Sequence, residues 1–125
     1  MSLLLLDTHV FLWWRANDPR LQTHARETIA RASIVYVSAA SAWEAAVKQA
    51  LGRLVLPAPF AAGVDESGFQ RLAITFEHAA EAAGLPPHHG DPFDRMLIAQ
   101  ARLDGLTLVT HDRVIAAYDV ALLWT

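Results

Sequence analysis

Five short runs of apolar, strand-favouring residues punctuate the chain: Leu3 to Leu6, Ile34 to Val37, Leu72 to Thr75, Leu106 to Thr110 and Val120 to Trp124. The stretches between them carry helical spacing. Runs this uniformly apolar, separated by helices, predict parallel strands buried on both faces of one sheet. Local chemistry marks several helix ends. Asp18-Pro19 predicts an N-cap and first residue for a helix running to about Ala32, and Asp91-Pro92 repeats the signal before a helix containing Asp94. Gly52, Gly84 and Gly105 each follow a helical stretch, as the left-handed C-terminal position prefers. The prolines at Pro57 and Pro59, and the turn Leu85-Pro86-Pro87-His88-His89-Gly90, break the pattern without being long enough for linkers. No internal repeat is present, and the expectation is a single α/β domain over 1–125.

Four acids fall where a strand hands over to a helix: Asp7 after the first run, Glu44 after the second, Asp94 in the helix opened by Asp91-Pro92, and Asp112 after the fourth. In open α/β sheets such handovers gather at the carboxyl edge of the strands. Each acid also has a structural explanation. Ser41-x-x-Glu44 fits a capping box, Asp94 lies three residues after its N-cap where the helix dipole favours a negative charge, and Asp112 suits a cap for Arg113 to Tyr118. Capping does not require that all of them converge on one edge of one sheet. Four carboxylates sharing a pocket raise one another's pKa, and a divalent cation resolves that conflict. With oxygen donors, no cysteine and no helix-spaced histidine pair, the expected ion is Mg²⁺, with Mn²⁺ also suitable. The corresponding chemistry is phosphodiester hydrolysis.

Other polar and aromatic groups are less directive. His88-His89 sits beside Asp91 within reach of substrate or metal, although a loop histidine is more often neither, and His9 and His111 each lie within two residues of a site acid. Trp13 and Trp14 are adjacent on the first helix and cannot both face the core equally, so the expectation is either that one is exposed as a partner surface or that the two cover a small core.

The composition then limits the setting. A chain of 125 residues, 54% hydrophobic, can build one real core. The absence of cysteine fits a reducing, cytoplasmic environment. The first apolar run has no basic flank and meets Asp7 at once, which is neither a signal peptide nor a membrane span. The formal charge of −3 becomes +1 once the four clustered acids are set aside, and nine of the ten basic residues are arginines, which bind phosphate bidentately. That balance is compatible with RNA.

Taken together, Leu5-Leu6-Asp7-Thr8-His9, Ser38-Ala39-Ala40-Ser41-Ala42-Trp43-Glu44, the stretch from His88-His89-Gly90-Asp91-Pro92-Phe93-Asp94-Arg95 to Ala101, and Leu108-Val109-Thr110-His111-Asp112 resemble the PIN-domain nucleases, in particular the VapC-type toxins of type II toxin-antitoxin systems. The likeness covers nearly the whole chain. It implies a three-layer α/β/α sandwich around a parallel sheet of about five strands. It also implies an acidic quartet of Asp7, Glu44, Asp94 and Asp112 around Mg²⁺, with Thr110 supporting the metal-water network and Asp91 as a cap. Asp7 and Asp94 would be the direct ligands, and Glu44 and Asp112 would act partly through water. The implied reaction is endonucleolytic hydrolysis of RNA by in-line attack of water, leaving a 3′-hydroxyl and a 5′-phosphate. The implied partners are RNA, a small cognate antitoxin and a second copy in a homodimer.

Two other classes share the alternation of strands and helices. A receiver-like signalling module needs a lysine at the end of a late strand, and the only lysine, Lys48, follows Glu44 on a helix. A catalytically silent PIN-like binding or repressor subunit would not need the complete quartet.

Overall fold

In a computed structural model describing residues 2–125, β1 (Leu3–Leu6) occupies the middle of a five-stranded, wholly parallel sheet. It is flanked by β2 (Ile34–Ser38) and β4 (Thr107–Thr110), with β3 (Gln70–Leu72) and β5 (Leu122–Trp124) at the edges, giving the order β3-β2-β1-β4-β5. Six helices join them: α1 (Thr8–Ala16), α2 (Thr23–Arg31), α3 (Ala39–Ala50), α4 (Phe60–Glu66), α5 (Phe76–Gly84) and α6 (Pro92–Asp104). A short 3-10 helix, Arg113–Ala117, follows β4.

The four-leucine run explains the three layers. Successive strand residues point to opposite faces, so Leu4 and Leu6 pack with Val35, Val37 and Val109 against α1, α2 and α4, while Leu5 packs with Leu108 against α6. Both faces are therefore covered, as a parallel sheet requires. A fully buried leucine such as Leu5 contributes about 1.5–3 kcal/mol by leaving water. The three-layer α/β/α expectation is met.

The chain leaves β1 towards β2 on one side and returns to β4 on the other. The topological switch point thus lies between the carboxyl ends of β1 and β4, where Asp7 N–H donates to the Val109 carbonyl at 3.0 Å.

Several boundaries differ from expectation. Asp18-Pro19 forms a turn: the Asp18 carboxylate accepts the Arg20 N–H at 2.9 Å and pairs with the Arg20 guanidinium, and α2 begins only at Thr23. The cap of α3 is Ser38, whose Oγ accepts the Ala40 N–H at 3.0 Å. Ser41 and Glu44 lie within that helix, so no Ser41–Glu44 capping box forms. β3 sits earlier than Leu72 to Thr75 because Thr75 is consumed as the N-cap of α5, in a reciprocal box with His78. β4 and β5 begin one and two residues later than expected. Gly84 is the last residue of α5 and has no positive φ, whereas Gly105 does cap α6 in the left-handed region at φ 66°. Asp91 caps α6 as the sequence indicates, accepting the Phe93 N–H at 2.8 Å.

These caps differ in consequence. Ser38→Ala should destabilise the protein by about 1 kcal/mol through the lost cap, while Asp18→Ala, which disturbs only an exposed turn, should stay within roughly 0.5 kcal/mol. Urea unfolding of the two variants measures both.

Candidate active site

Asp7 ends the central strand and opens α1. It is 5% exposed, and both of its oxygens are engaged: Oδ1 accepts the Val10 N–H at 2.8 Å, and Oδ2 accepts the Thr110 hydroxyl at 2.6 Å. The same Thr110 oxygen accepts the Asp112 N–H at 3.0 Å, which ties the end of β4 to the end of β1. Asp112 in turn caps the 3-10 helix, its Oδ1 accepting the Val114 N–H at 3.0 Å. Burial raises the pKa of Asp7, and the Thr110 bond offsets part of that rise.

Glu44 is also buried, on the face of α3 towards α1. Its Oε1 accepts from the Thr8 hydroxyl at 2.6 Å, and its Oε2 pairs with Lys48 one turn along at 2.8 Å. Ser41 lies 2.9 Å from the same Thr8 oxygen. The one lysine of the chain is therefore occupied on α3, far from the late-strand position that a receiver module needs.

Asp94, in the first turn of α6, has its pKa pushed up to about 7, first by burial and then by the charges of Asp91, Asp7 and Glu44. That dependence shows that Asp7, Glu44 and Asp94 share one electrostatic neighbourhood, and Thr110 and His89 link Asp112 to it. All four sequence-indicated acids converge, with Thr110 among them.

His89 is the residue that sequence reasoning underweighted. Its Nε2 lies 2.7 Å from Asp112 Oδ2 and 3.1 Å from Asp94 Oδ2, and its side chain is only 14% exposed. The Pro-rich turn that carries it is fastened. Arg95 donates to the carbonyls of Ala82, Leu85 and Pro86, each at 2.9 Å, and the Tyr118 hydroxyl accepts the His89 N–H at 2.8 Å. Only the adjacency of His89 to Asp91 hinted at this placement. His88 instead stacks edge-on against Tyr118, and His111 bonds the Thr125 carbonyl. His9 is exposed beside Trp13.

Among the described residues, His89, Asp94 and Asp112 form the group whose candidate ligand atoms all lie within 4.8 Å of one another. Asp7 stands outside that group. Six of the eight oxygens of the four acids accept a hydrogen bond from the chain; among the described residues neither oxygen of Asp94 does, although its Oδ2 lies 3.1 Å from His89 Nε2. Carboxylates and a hydroxyl make up a hard donor set that fits a divalent cation, and buried acids with raised pKa values are the groups such an ion would relieve.

Of the two alternatives for Trp13 and Trp14, the structure takes the one in which both cover the core. Trp13 is buried, and Trp14 is half-buried against Phe69 with Arg26 over its ring. Trp43 is the large exposed aromatic, 61% accessible, meeting Phe93 edge-on with ring centres 5.0 Å apart. Each precedes a site acid.

A PIN-domain family model matches residues 4–121. The chain belongs to the PIN-domain family. It is 36% identical over 116 residues to Ribonuclease VapC22 of Mycobacterium tuberculosis, covering 90% of this chain and 89% of that relative. Solved structures share the fold. VapBC2 from Rickettsia felis bound to a promoter DNA fragment matches with TM-score 0.71 at 14% identity, covering 98% of both chains. DNA-bound VapBC from Salmonella typhimurium also gives 0.71, at 21% identity, covering 99% of this chain and 98% of that one. Membership in the PIN family removes the receiver-like alternative. No helix among the described residues is long and apolar enough to cross a membrane.

The raised pKa of Asp94 has a measurable consequence in this PIN domain. The folded carboxyl keeps its proton up to about pH 7, whereas the unfolded one releases it near 3.8. The folded state thus binds more protons between those values, so this contribution to stability is complete below pH 3.8 and lost as pH rises through 7. In EDTA the protein should be less stable at pH 8 than at pH 5, and Asp94→Asn should flatten that slope. Urea unfolding at the two pH values, on both proteins, checks the sign.

Proposed function

We propose that this chain is a Mg²⁺-dependent endoribonuclease and the toxin of a toxin-antitoxin pair. The observation that carries the reading is the convergence of buried acids with raised pKa values at the switch point of a PIN fold. The 36% identity to a ribonuclease over nine-tenths of the chain supports the substrate class. The VapBC structures that share the fold support an antitoxin partner. A second copy of the chain is proposed as a further partner, and the setting is proposed as cytoplasmic.

In this reading Asp94 and Asp112 hold the ion directly, in place of the Asp7 and Asp94 pair expected from the sequence, because both Asp7 oxygens are engaged by the chain; Asp7 and Glu44 supply further negative charge. Mn²⁺ would suit the same oxygens. When bound, the cation supplies charge neutralisation at the scissile phosphate and acidity to water. The chain supplies the positioning. Thr110 fixes Asp7 relative to Asp112, Thr8 and Lys48 orient Glu44, and the N-cap Asp91 sets the start of α6 so that Asp94 faces the crevice. The product ends would be a 3′-hydroxyl and a 5′-phosphate.

Asp94 is the cleanest site for a test, since its Oδ1 carries no bond from the chain. Asp7 doubles as the cap of α1, so its replacement disturbs structure as well as charge. Asp94→Asn should lower RNA cleavage by about 100-fold or more, the scale of losing one strong electrostatic contributor. Undiminished cleavage in excess EDTA would falsify metal dependence. Mg²⁺ at a hundredfold excess over its dissociation constant should stabilise the wild type by about 2.7 kcal/mol and Asp94→Asn by much less, as thermal unfolding reports.

The toxin assignment has its own readout. Expression of the wild-type chain should arrest growth, Asp94→Asn should not, and a small co-encoded partner should relieve the arrest. Equal harmlessness of both chains at matched expression sinks it.

A further inference from the structure

His89 meets the distance requirement for a metal ligand together with Asp94 and Asp112. Its hydrogen bonds argue for a different role. The Asp91 backbone N–H points at His89 Nδ1 at 3.1 Å. A backbone amide can only donate, so Nδ1 must present its lone pair. In an imidazole whose Nδ1 accepts, the ring proton resides on Nε2. Nε2 is therefore a donor, bonded to Asp112 Oδ2 at 2.7 Å, with Asp94 Oδ2 lying 3.1 Å from the same nitrogen.

We infer that His89 is a positioning residue of the active site, an N–H bridge that holds the Asp94 and Asp112 carboxylates in register for the cation without itself ligating it. The inference rests on the metal-nuclease reading above. Ligation through Nε2 would require the proton to move to Nδ1, where it would collide with the Asp91 N–H. The ring is held at both nitrogens, by the Asp91 N–H and by Asp112, and the backbone beneath it is fixed by Tyr118 at its N–H and by the Arg95 guanidinium 3.4 Å from its carbonyl. The bridge spans two elements that are otherwise separate, the first turn of α6 and the segment after β4. With the N–H given to Asp112 and Asp94 Oδ2 drawn up to the same nitrogen, Asp94 Oδ1 stays open to a cation. Outer-shell partners of ligating carboxylates commonly govern metal affinity by about 10–100-fold.

Three substitutions separate the roles. His89→Asn places an amide near the Nδ1 position, so it keeps an acceptor for the Asp91 N–H and loses the bridge. His89→Gln reaches the Nε2 position with an N–H and keeps the bridge. His89→Ala loses both. Mn²⁺ titration of the full chain, followed by electron paramagnetic resonance, should show affinity reduced by about tenfold or more in His89→Ala and His89→Asn. His89→Gln should remain nearer the wild type. Pulsed spectra of the Mn²⁺-loaded wild type should contain no coupling from a directly bonded nitrogen. Long-range proton-nitrogen NMR of the metal-free protein should find the His89 proton on Nε2.

A directly bonded nitrogen signal that vanishes in His89→Ala makes His89 a ligand and overturns the inference. Wild-type Mn²⁺ affinity in His89→Asn, with Asp94→Asn still losing the ion, overturns it while leaving the nuclease reading intact. A wild type that binds no Mn²⁺ defeats the nuclease reading itself, and the bridge with it.

Discussion

A carboxylate buried at the end of a strand that is itself buried on both faces is the constraint on which this molecule turns. Asp7 has apolar β1 behind it and almost no access to solvent, so its charge depends on what the chain brings to it. Val10 N–H and the Thr110 hydroxyl are the donors provided, one from the helix that follows and one from the neighbouring strand. The second bond matters more to the architecture. It ties β1 to β4 across the switch point and, through the same hydroxyl, fixes the start of the segment that carries Asp112. A polar group too costly to leave unpaired in the interior thereby determines where a second acid stands.

The other two acids reach the same crevice by different means, and their partners differ accordingly. Glu44 is neutralised locally by Lys48 and held by Thr8, so its charge is compensated without an ion. Asp94 is pushed up to a pKa of about 7 first by burial and then by the charges of Asp91, Asp7 and Glu44, with no cation among the described residues beside it to match Lys48. The unsatisfied charge in the pocket is thus concentrated on α6 rather than shared equally by four residues. A cation entering here would gain most from Asp94, which alone of the four site acids has, among the described residues, an oxygen still unclaimed.

Much of this was legible in the sequence for identifiable reasons. The run Leu3 to Leu6 has no polar face, which is possible only for a strand covered on both sides, and its abrupt end at Asp7 marked the sheet edge. Asp91-Pro92 was legible because a cap and a first-turn proline are local chemistry. Asp18-Pro19 carries the same two letters and fails. There the carboxylate closes on Arg20 two residues away, and a helix cannot begin until that turn has ended. Thr75 shows the same limit from the other side, since a residue suited to a strand was claimed as a cap. Local signals of equal strength were decided by which neighbour offered the better bond.

His89 was illegible for a different reason. Nothing within the Pro-rich turn distinguishes it from an exposed loop histidine, because what immobilises it is remote. Arg95 grips the turn through four carbonyls, and Tyr118 closes it from beyond β4, donating to the Pro86 carbonyl at 2.6 Å while accepting the His89 N–H. A loop with its carbonyls satisfied in this way behaves as part of the scaffold, so the entropy of ordering the backbone beneath His89 is met by the fold, and only the imidazole is left to Asp91 and Asp112. The acids could be inferred one strand end at a time, whereas the group that joins two of them exists only when α6 and the segment after β4 are packed against the same turn.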